Sequence, residues 1–304
     1  MSNNNPTVSI LVPIYNVQSM IVKCARSLFQ QNYAECEFIF VDDGSTDYSY
    51  YRLRDVIDLE FPELYDRVRI VRHSRNRGVA EARNTAMDYA NGEFILFVDS
   101  DDWVAPSLVQ SLVIRQRVDD ADMVSSDFYR VRGEAVKHIH THWIGNREGS
   151  LNIVLAQSFA LPNRVWSLLV RSSMIHRNGI RFEGSINYGE DSLLLVKLLY
   201  FAREIAHVDT PLYYYRADSA GSYSNNQNRL SVNNYIRSQL MIWDFMAERD
   251  AIMRYGQALL LGRMNLRRWL TVRQGGGGIG GFFFRTWCFI LNKAWSAKCW
   301  ASGV

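Results

Sequence analysis

The segment Glu37-Phe-Ile-Phe-Val41-Asp42-Asp43-Gly-Ser-Thr-Asp47 is a short apolar run that ends in carboxylates and turn-forming residues. Runs of four to eight β-branched and aromatic residues bounded by such clusters are typical of buried strands. Stretches with helical periodicity flank this segment, at Val17–Gln31 and Tyr48–Glu60. This order predicts a strand between two crossover helices, as in a parallel α/β sheet.

The same alternation extends outward from Thr7 to Asp102. It predicts three further strands, at Val8–Val12, Val68–Val71 and Phe94–Val98. It also predicts a helix at Val79–Ala90, which Asn91-Gly92 should terminate as a C-cap. Four strands with three crossovers indicate a Rossmann-like, mainly parallel half-domain over residues 1–105.

The rest of the chain divides by composition into three parts. Residues 106–220 alternate less regularly and are expected to complete the domain as a second half with a mixed sheet. Residues 221–274 are expected to form a mostly helical extension. Residues 275–281 are a glycine-rich linker, followed to residue 304 by a tail dense in Trp, Phe and Lys. This amphipathic tail predicts either peripheral membrane contact or packing on protein.

Composition excludes several classes of function. A formal net charge of +3 is too small for a nucleic-acid surface. The four cysteines, at positions 24, 36, 288 and 299, form no C-x-x-C pair, so we expect neither a disulfide nor a zinc site. The N-terminus lacks a secretory pattern. We expect a cytoplasmic protein, with the inner face of the cytoplasmic membrane as the place for any peripheral attachment.

Acidic residues follow three of the predicted strands. The strands end in Pro13–Asn16, Asp42–Asp47 and Asp99–Asp102, and ligands of such sheets bind beyond the carboxyl ends of the strands. Helix capping explains Ser45-Thr46-Asp47, but adjacent carboxylates cost free energy unless a cation relieves them. A divalent metal, Mn²⁺ or Mg²⁺, fits, with Asp101 as first ligand and Asp99 as support.

Four motifs in this order resemble glycosyltransferase family 2. They are Val8-Ser-Ile-Leu-Val-Pro-Ile-Tyr-Asn16, Val41-Asp-Asp-Gly-Ser-Thr-Asp47, Asn76-Arg-Gly-Val-Ala-Glu-Ala-Arg-Asn84 and Asp99-Ser-Asp-Asp102. Gly189-Glu-Asp191 and Tyr213-Tyr-Tyr-Arg216 extend the resemblance over roughly the first 220 residues. It implies the GT-A fold, an inverting mechanism, and a role in bacterial surface polysaccharide synthesis.

The resemblance also implies roles for individual residues. Asp99-Ser100-Asp101 matches the D-x-D signature that binds the metal and the diphosphate, and Asp191 matches the catalytic base. The nucleotide-sugar site then comprises Pro13, Tyr15, Asn16, Asp43, Arg83, Asp99 and Ser100. Asp43 would accept from the imide of a uracil-type base, as in a UDP-sugar. On the acceptor side we assign Glu190 and Trp166.

Other interpretations remain open at this stage. Arg83 also suits an exposed helix position, and Glu190-Asp191 also suits a helix N-terminus. His138, His140 and His142 would share one strand face, but without a carboxylate or cysteine to complete a zinc set a solvated hairpin is favoured.

Two other functions remain as alternatives: a nucleotidyltransferase, and a protein that binds nucleotide sugar without transferring it. The donor sugar, the glycan or lipid-linked acceptor, and whether the chain forms a homodimer are not fixed by the sequence.

Overall fold

A computed structural model describes residues 6–141, 147–156, 164–218 and 229–273. Its strands are β1 (Val8–Ile14), β2 (Cys36–Asp42), β3 (Val68–Arg72), β4 (Phe94–Phe97), β5 (Trp103–Val104), β6 (Met123–Arg132), β7 (Ala135–Ile139), β8 (Leu169–Arg171) and β9 (Ile205–Arg216). Its helices are α1 (Ile21–Phe29), α2 (Ser49–Glu60), α3 (Val79–Asp88), α4 (Leu108–Asp119), α5 (Arg147–Ala156), α6 (Ser172–Arg177), α7 (Glu190–Phe201), α8 (Arg229–Ala247) and α9 (Ile252–Arg273).

Within these residues the strands form one mixed sheet with the order β3-β2-β1-β4-β8-β6-β9-β5, and β7 pairs with β6. The first four strands are parallel to one another, whereas β8 runs antiparallel to both β4 and β6. The predicted parallel half is therefore confirmed. The second half extends the same sheet, so the carboxyl ends of β1, β2 and β4 face residues from both halves.

Alternation along the strands divides the core into two apolar layers, because successive side chains point to opposite faces of a sheet. Phe38 and Phe40 pack into the layer that covers α1, α2 and α4. Ile39 and Val41 pack into the layer under α3, α7 and α8. Trp243 of α8 is buried in this second layer, so the helical extension packs on the same side of the sheet as α3 and α7.

Two boundaries differ from the sequence prediction. Helix α3 ends at Asp88, so Asn91-Gly92 is not its C-cap. Gly92 lies instead against β1, where its N–H donates to Ser9 Oγ at 2.8 Å and a Cβ would lie 2.6 Å from the Ser9 backbone nitrogen. The glycine is required by this close approach of two segments of the chain, a tertiary constraint that local sequence does not carry.

The pairing of β6 with β9 is irregular in its middle. Ser126 pairs with Val208 and Phe128 with Tyr213, so β9 advances five residues while β6 advances two. Pro211, which has no N–H for the sheet, lies inside this bulge. Beyond it the register is regular again as far as Arg216.

The linker and the aromatic tail at 275–304 lie outside the described residues. Among the helices that the structure does describe, none combines the length and the apolar character needed to cross a bilayer.

Gly44 lies just after β2 and packs against the loop before α3. Its φ is +70°, and a Cβ would lie 2.6 Å from the backbone carbon of Arg75. Gly44→Ala should lower the free energy of unfolding in urea by about 2–4 kcal/mol, because backbone strain is added to a clash that only loop movement relieves.

Gly133→Ala is the matched control, since Gly133 also has a positive φ (+55°) but open space around it. It should cost only about 1 kcal/mol, the part due to φ. Equal losses for the two variants would show that the loop contact at Gly44 contributes nothing.

Candidate active site

The acidic loop Asp99–Asp102 follows β4 and is held by the end of β9. The Tyr213 hydroxyl donates to Asp102 Oδ2 at 2.8 Å and accepts from the Asp99 backbone N–H at 3.0 Å. The Arg216 backbone N–H donates to Asp102 Oδ1 at 2.7 Å. Tyr213 and Asp102 are both buried, so the loop is fixed from below.

Within this loop the three carboxylates have different roles. Burial raises the pKa of Asp102, and the negative charges of Asp101 and Asp99 raise it further. Asp99 and Asp101 are only partly buried and remain accessible. Oxygen donors of this kind suit a hard divalent cation, and the crowding of charge around Asp102 is what such a cation would relieve. The residues therefore fit Mn²⁺ or Mg²⁺.

Arg83 lies in the interior of α3 and is almost fully buried, so its interpretation as an exposed helix residue is wrong. Its Nη2 donates to Asp99 Oδ1 at 2.9 Å, and its Nη1 donates to Asp191 Oδ1 at 2.6 Å and to Glu190 Oε1 at 3.3 Å. Burial alone would lower the pKa of Arg83, but these three carboxylates raise it above its ordinary value. One guanidinium thus joins the D-x-D loop to the predicted base.

Glu190 and Asp191 begin α7, directly after Gly189. Burial raises the pKa of both carboxyls, and the charge of Asp191 helps to raise that of Glu190 to about 8. Arg83 and the Val165 backbone N–H act in the opposite direction on Asp191. Burial thus outweighs Arg83 at both carboxyls, and the pKa of each stays above its ordinary value.

The carboxylates of Asp42 and Asp43 already have partners within the chain. Asp42 Oδ2 lies 2.9 Å from Arg72 Nε. Asp43 accepts from the Arg77 and Gly78 backbone N–H groups at 2.9 and 2.7 Å, and its Oδ1 lies 2.6 Å from His73 Nδ1. The cation that adjacent carboxylates seemed to require is therefore supplied here by the protein. Asp43 holds the loop before α3, and its contact with a nucleobase stays a prediction.

The remaining donor-site candidates surround the end of β1. Pro13 lies within β1, and the Tyr15 side chain beyond it is exposed. Asn16 has a positive φ of 52° and accepts from the Thr46 backbone N–H at 2.9 Å, which joins this loop to the one after β2. Ser100 is buried within the acidic loop.

Trp166 is buried behind the site instead of lining an open cleft. Its ring stacks on Tyr213 with centroids 4.4 Å apart, and on Tyr215 at 5.3 Å. The guanidinium carbon of Arg164 lies 4.3 Å from the ring centroid. Its direct contact with an acceptor stays a prediction; the observed contacts support the strand that holds Asp102.

Sequence reasoning missed two features of this region. The role of Tyr213 in holding Asp102 depends on the pairing of β9 with β5, which directly follows the acidic loop. The statement that no carboxylate accompanies the histidines is also wrong, because Asp127 Oδ2 lies 2.7 Å from His138 Nε2 and 2.9 Å from His140 Nδ1. The two-residue turn between Arg132 and Ala135 fixes this hairpin register and was the available signal. His142 lies outside the described residues.

Comparison with known proteins identifies the family. The model of glycosyl transferase family 2 matches residues 9–183. The chain belongs to this family. EpsH of Bacillus subtilis (strain 168) is 30% identical over 230 residues, which cover 74% of this chain and 65% of EpsH. The glycosyltransferase GlyG of Streptococcus pneumoniae is 30% identical over 241 residues, covering 74% of this chain and 75% of GlyG.

The matched region of this family-2 chain spans less than two thirds of EpsH. Among solved structures, residues 1–349 of Staphylococcus aureus TarS with UDP-GlcNAc superpose with a TM-score of 0.69 at 22% identity, covering 83% of this chain and 70% of that one. A mannosyltransferase of Pyrobaculum calidifontis with GDP-Man and Mn²⁺ gives 0.56 at 17% identity, covering 94% and 80%. These likenesses confirm the GT-A fold.

Removing the Tyr213 hydroxyl tests how the acidic loop is held. Tyr213→Phe should lower the free energy of unfolding by about 1–3 kcal/mol, because it leaves the Asp102 carboxylate and the Asp99 N–H without this buried partner. Chemical denaturation at neutral pH measures the loss.

Tyr214→Phe is the matched control. It keeps the ring that stacks on Trp103 and Tyr129, so a change within about 0.5 kcal/mol is expected. If the Tyr213→Phe protein were as stable as this control, the Tyr213 hydroxyl would not stabilise the acidic loop.

Proposed function

We propose that the chain transfers a glycosyl group from a nucleoside-diphosphate sugar to a hydroxyl group by a single displacement that inverts the anomeric configuration. The observation that carries the proposal is the position of Arg83, whose two terminal nitrogens bond Asp99 and Asp191. A D-x-D carboxylate and a candidate base thereby face one space beyond the strand ends. Single displacement requires this arrangement, because leaving group and nucleophile act on opposite sides of one carbon.

On the donor side, Asp101 and Asp99 would hold Mn²⁺ or Mg²⁺. When bound, the metal neutralises charge on the departing diphosphate. The Tyr15 ring and the loop carrying Asp43 would border the nucleoside. A UDP-sugar is our proposed donor, supported by the TarS structures with UDP and UDP-GlcNAc, while the structural neighbour with GDP-Man shows that this fold also takes a guanine nucleotide.

On the acceptor side, Asp191 is the proposed base. Its Oδ1 accepts a hydrogen bond from Arg83, whose positive charge favours the ionised form, and a carboxylate suffices because the acceptor hydroxyl becomes acidic only as the anomeric carbon gains positive charge. Glu190, whose pKa burial raises to about 8, would orient the acceptor or Asp191 itself. Arg83 would exchange its bond to Asp99 for donor phosphate oxygens, which suit a guanidinium equally well.

The acceptor proposed is a glycan or a lipid-linked sugar in cell-surface polysaccharide synthesis at the cytoplasmic face of the membrane. Membership of a family that includes GlyG supports sugar transfer in general. We propose that residues 1–105 bind the donor, that residues 106–220 bind the acceptor, and that the tail at 275–304 brings the protein to the membrane.

The two alternative functions have less support. A nucleotidyltransferase needs a glycine-rich, basic loop after the first strand for a triphosphate, whereas here β1 is followed by Tyr15-Asn16-Val17. A protein that only binds nucleotide sugar would not need a carboxyl group at position 191 beside the D-x-D loop.

Replacing the base separates transfer from binding. Asp191→Asn should lower kcat by about a hundredfold to ten-thousandfold with little change in donor affinity, because only proton removal is lost. Glu190→Gln is the paired variant: it mimics the protonated acid and should lose far less. Equal losses in both, or full activity of Asp191→Asn, would move the base elsewhere. Release of nucleoside diphosphate from a panel of UDP- and GDP-sugars measures turnover.

Donor binding should depend on metal and on Asp101. The melting temperature should rise when a nucleotide sugar and Mn²⁺ are added together, since a ligand that binds only the folded state stabilises it. Asp101→Asn should abolish the metal-dependent part of this rise. Asp58→Asn, at an exposed carboxylate of α2, should keep it. A rise that is independent of metal, or of Asp101, would contradict the assignment.

A further inference from the structure

A second group of metal-ligating side chains lies on the β6–β7 hairpin. Asp127 belongs to β6, His138 to β7, and His140 directly follows β7. Asp127 Oδ2 lies 2.7 Å from His138 Nε2 and 2.9 Å from His140 Nδ1, and the three ligand atoms lie within 4.8 Å of one another. The group shares no residue with the candidate active site.

The carboxylate is oriented by partners on its other oxygen. Asp127 Oδ1 accepts from the Thr141 backbone N–H at 2.8 Å and lies 3.0 Å from His207 Nε2. His207 Nδ1 lies 2.7 Å from Ser125 Oγ, so an Nε2–H tautomer of His207 satisfies both contacts. Metal-binding carboxylates are typically oriented by such hydrogen bonds. Oδ2 is thereby directed at the two imidazoles.

Burial distinguishes this group from an exposed acidic patch. The Asp127 side chain is 2% exposed, while those of His138 and His140 are 34% and 67% exposed. The site therefore has a buried anionic base and an open side. A cation can enter from solvent without unfolding the hairpin, and the open side leaves room for water as a further ligand.

We propose that Asp127, His138 and His140 form a zinc site. Two imidazole nitrogens with one carboxylate oxygen are donors that Zn²⁺ prefers, whereas the oxygen-only set at Asp99 and Asp101 suits Mn²⁺ or Mg²⁺. On binding, His138 Nε2 and His140 Nδ1 present lone pairs to the metal, and each neutral ring keeps its hydrogen on the other nitrogen. Zn²⁺ takes the place that the two N–H groups hold against Oδ2.

The role of the site is to hold the end of the β6–β7 hairpin against Arg164 and, through it, Trp166. Thr141, whose N–H bonds Asp127, also accepts from Arg164 Nη2 at 2.8 Å through its hydroxyl. Arg164 in turn packs on Trp166, the buried ring behind the D-x-D loop. Zinc would therefore stabilise the contacts that link the hairpin to Trp166, without itself contacting the reacting sugar.

Cobalt substitution tests the proposal on the full chain. After stripping with a chelator, the protein is held in excess Mg²⁺ to occupy the oxygen-only site and titrated with Co²⁺, then with Zn²⁺ in competition. We expect an intense visible absorption of low-symmetry, nitrogen-ligated Co²⁺ that Zn²⁺ abolishes, together with a Zn²⁺-dependent rise in melting temperature.

Variants assign the signal to this site. His140→Ala should weaken Zn²⁺ binding by more than about 100-fold, beyond what loss of a supporting residue costs. His138→Ala should do the same. His176→Ala, on the separate helix α6, and Asp101→Asn should bind Zn²⁺ like the unaltered chain.

The His140 variant decides the outcome if His138→Ala does not fold, because His140 is largely exposed and its removal leaves the hairpin packing intact. Absence of the cobalt signal in the unaltered chain overturns the proposal. So does Zn²⁺ binding that His140→Ala leaves unchanged, or that Asp101→Asn removes.

Discussion

The site depends on one buried charge. Arg83 is enclosed by Asp99, Glu190 and Asp191, which come from two separate stretches of the chain. A buried guanidinium without partners would cost several kcal/mol, and the three carboxyls around it, which are partly or fully buried, crowd negative charge that Arg83 offsets. Arg83 and the acidic side chains therefore stabilise one another. The consequence is that α3, the acidic loop and α7 must come together for any of them to be stable.

This network also pairs the polar groups of the site in the absence of substrate. The guanidinium lies between Asp99 of the D-x-D loop and Asp191, the proposed base. In the proposed reaction, substrate binding would be an exchange of partners around Arg83, in place of the creation of a new buried charge. Such exchange keeps the polar groups paired at each stage.

Much of the fold follows from local pattern, because the buried parallel strands are short apolar runs with turn residues at each end. Strands β1 to β4 and helices α2 and α3 appear within a few residues of their predicted bounds. The candidate carboxylates at 99 and 101 were predicted because they follow a strand, and Asp191 was predicted because its Gly-Glu-Asp motif resembles that of the family. What sequence could not give was burial and pairing: the ion pair of Asp42 with Arg72, the raised pKa of Glu190, and the approach of Asp127 to His138 all depend on contacts between distant elements.

The bulge between β6 and β9 has an effect on side-chain direction. Across it β9 gains three residues on β6, as the pairs Ser126–Val208 and Phe128–Tyr213 show. An odd offset exchanges the two faces of a strand, because neighbouring side chains alternate. Tyr213 would otherwise point away from Asp102. The irregular stretch around Pro211 thus shifts the alternation of side chains along β9 by an odd number of residues. Loss or gain of a single residue there would turn Tyr213 and Tyr215 to the opposite face of the sheet.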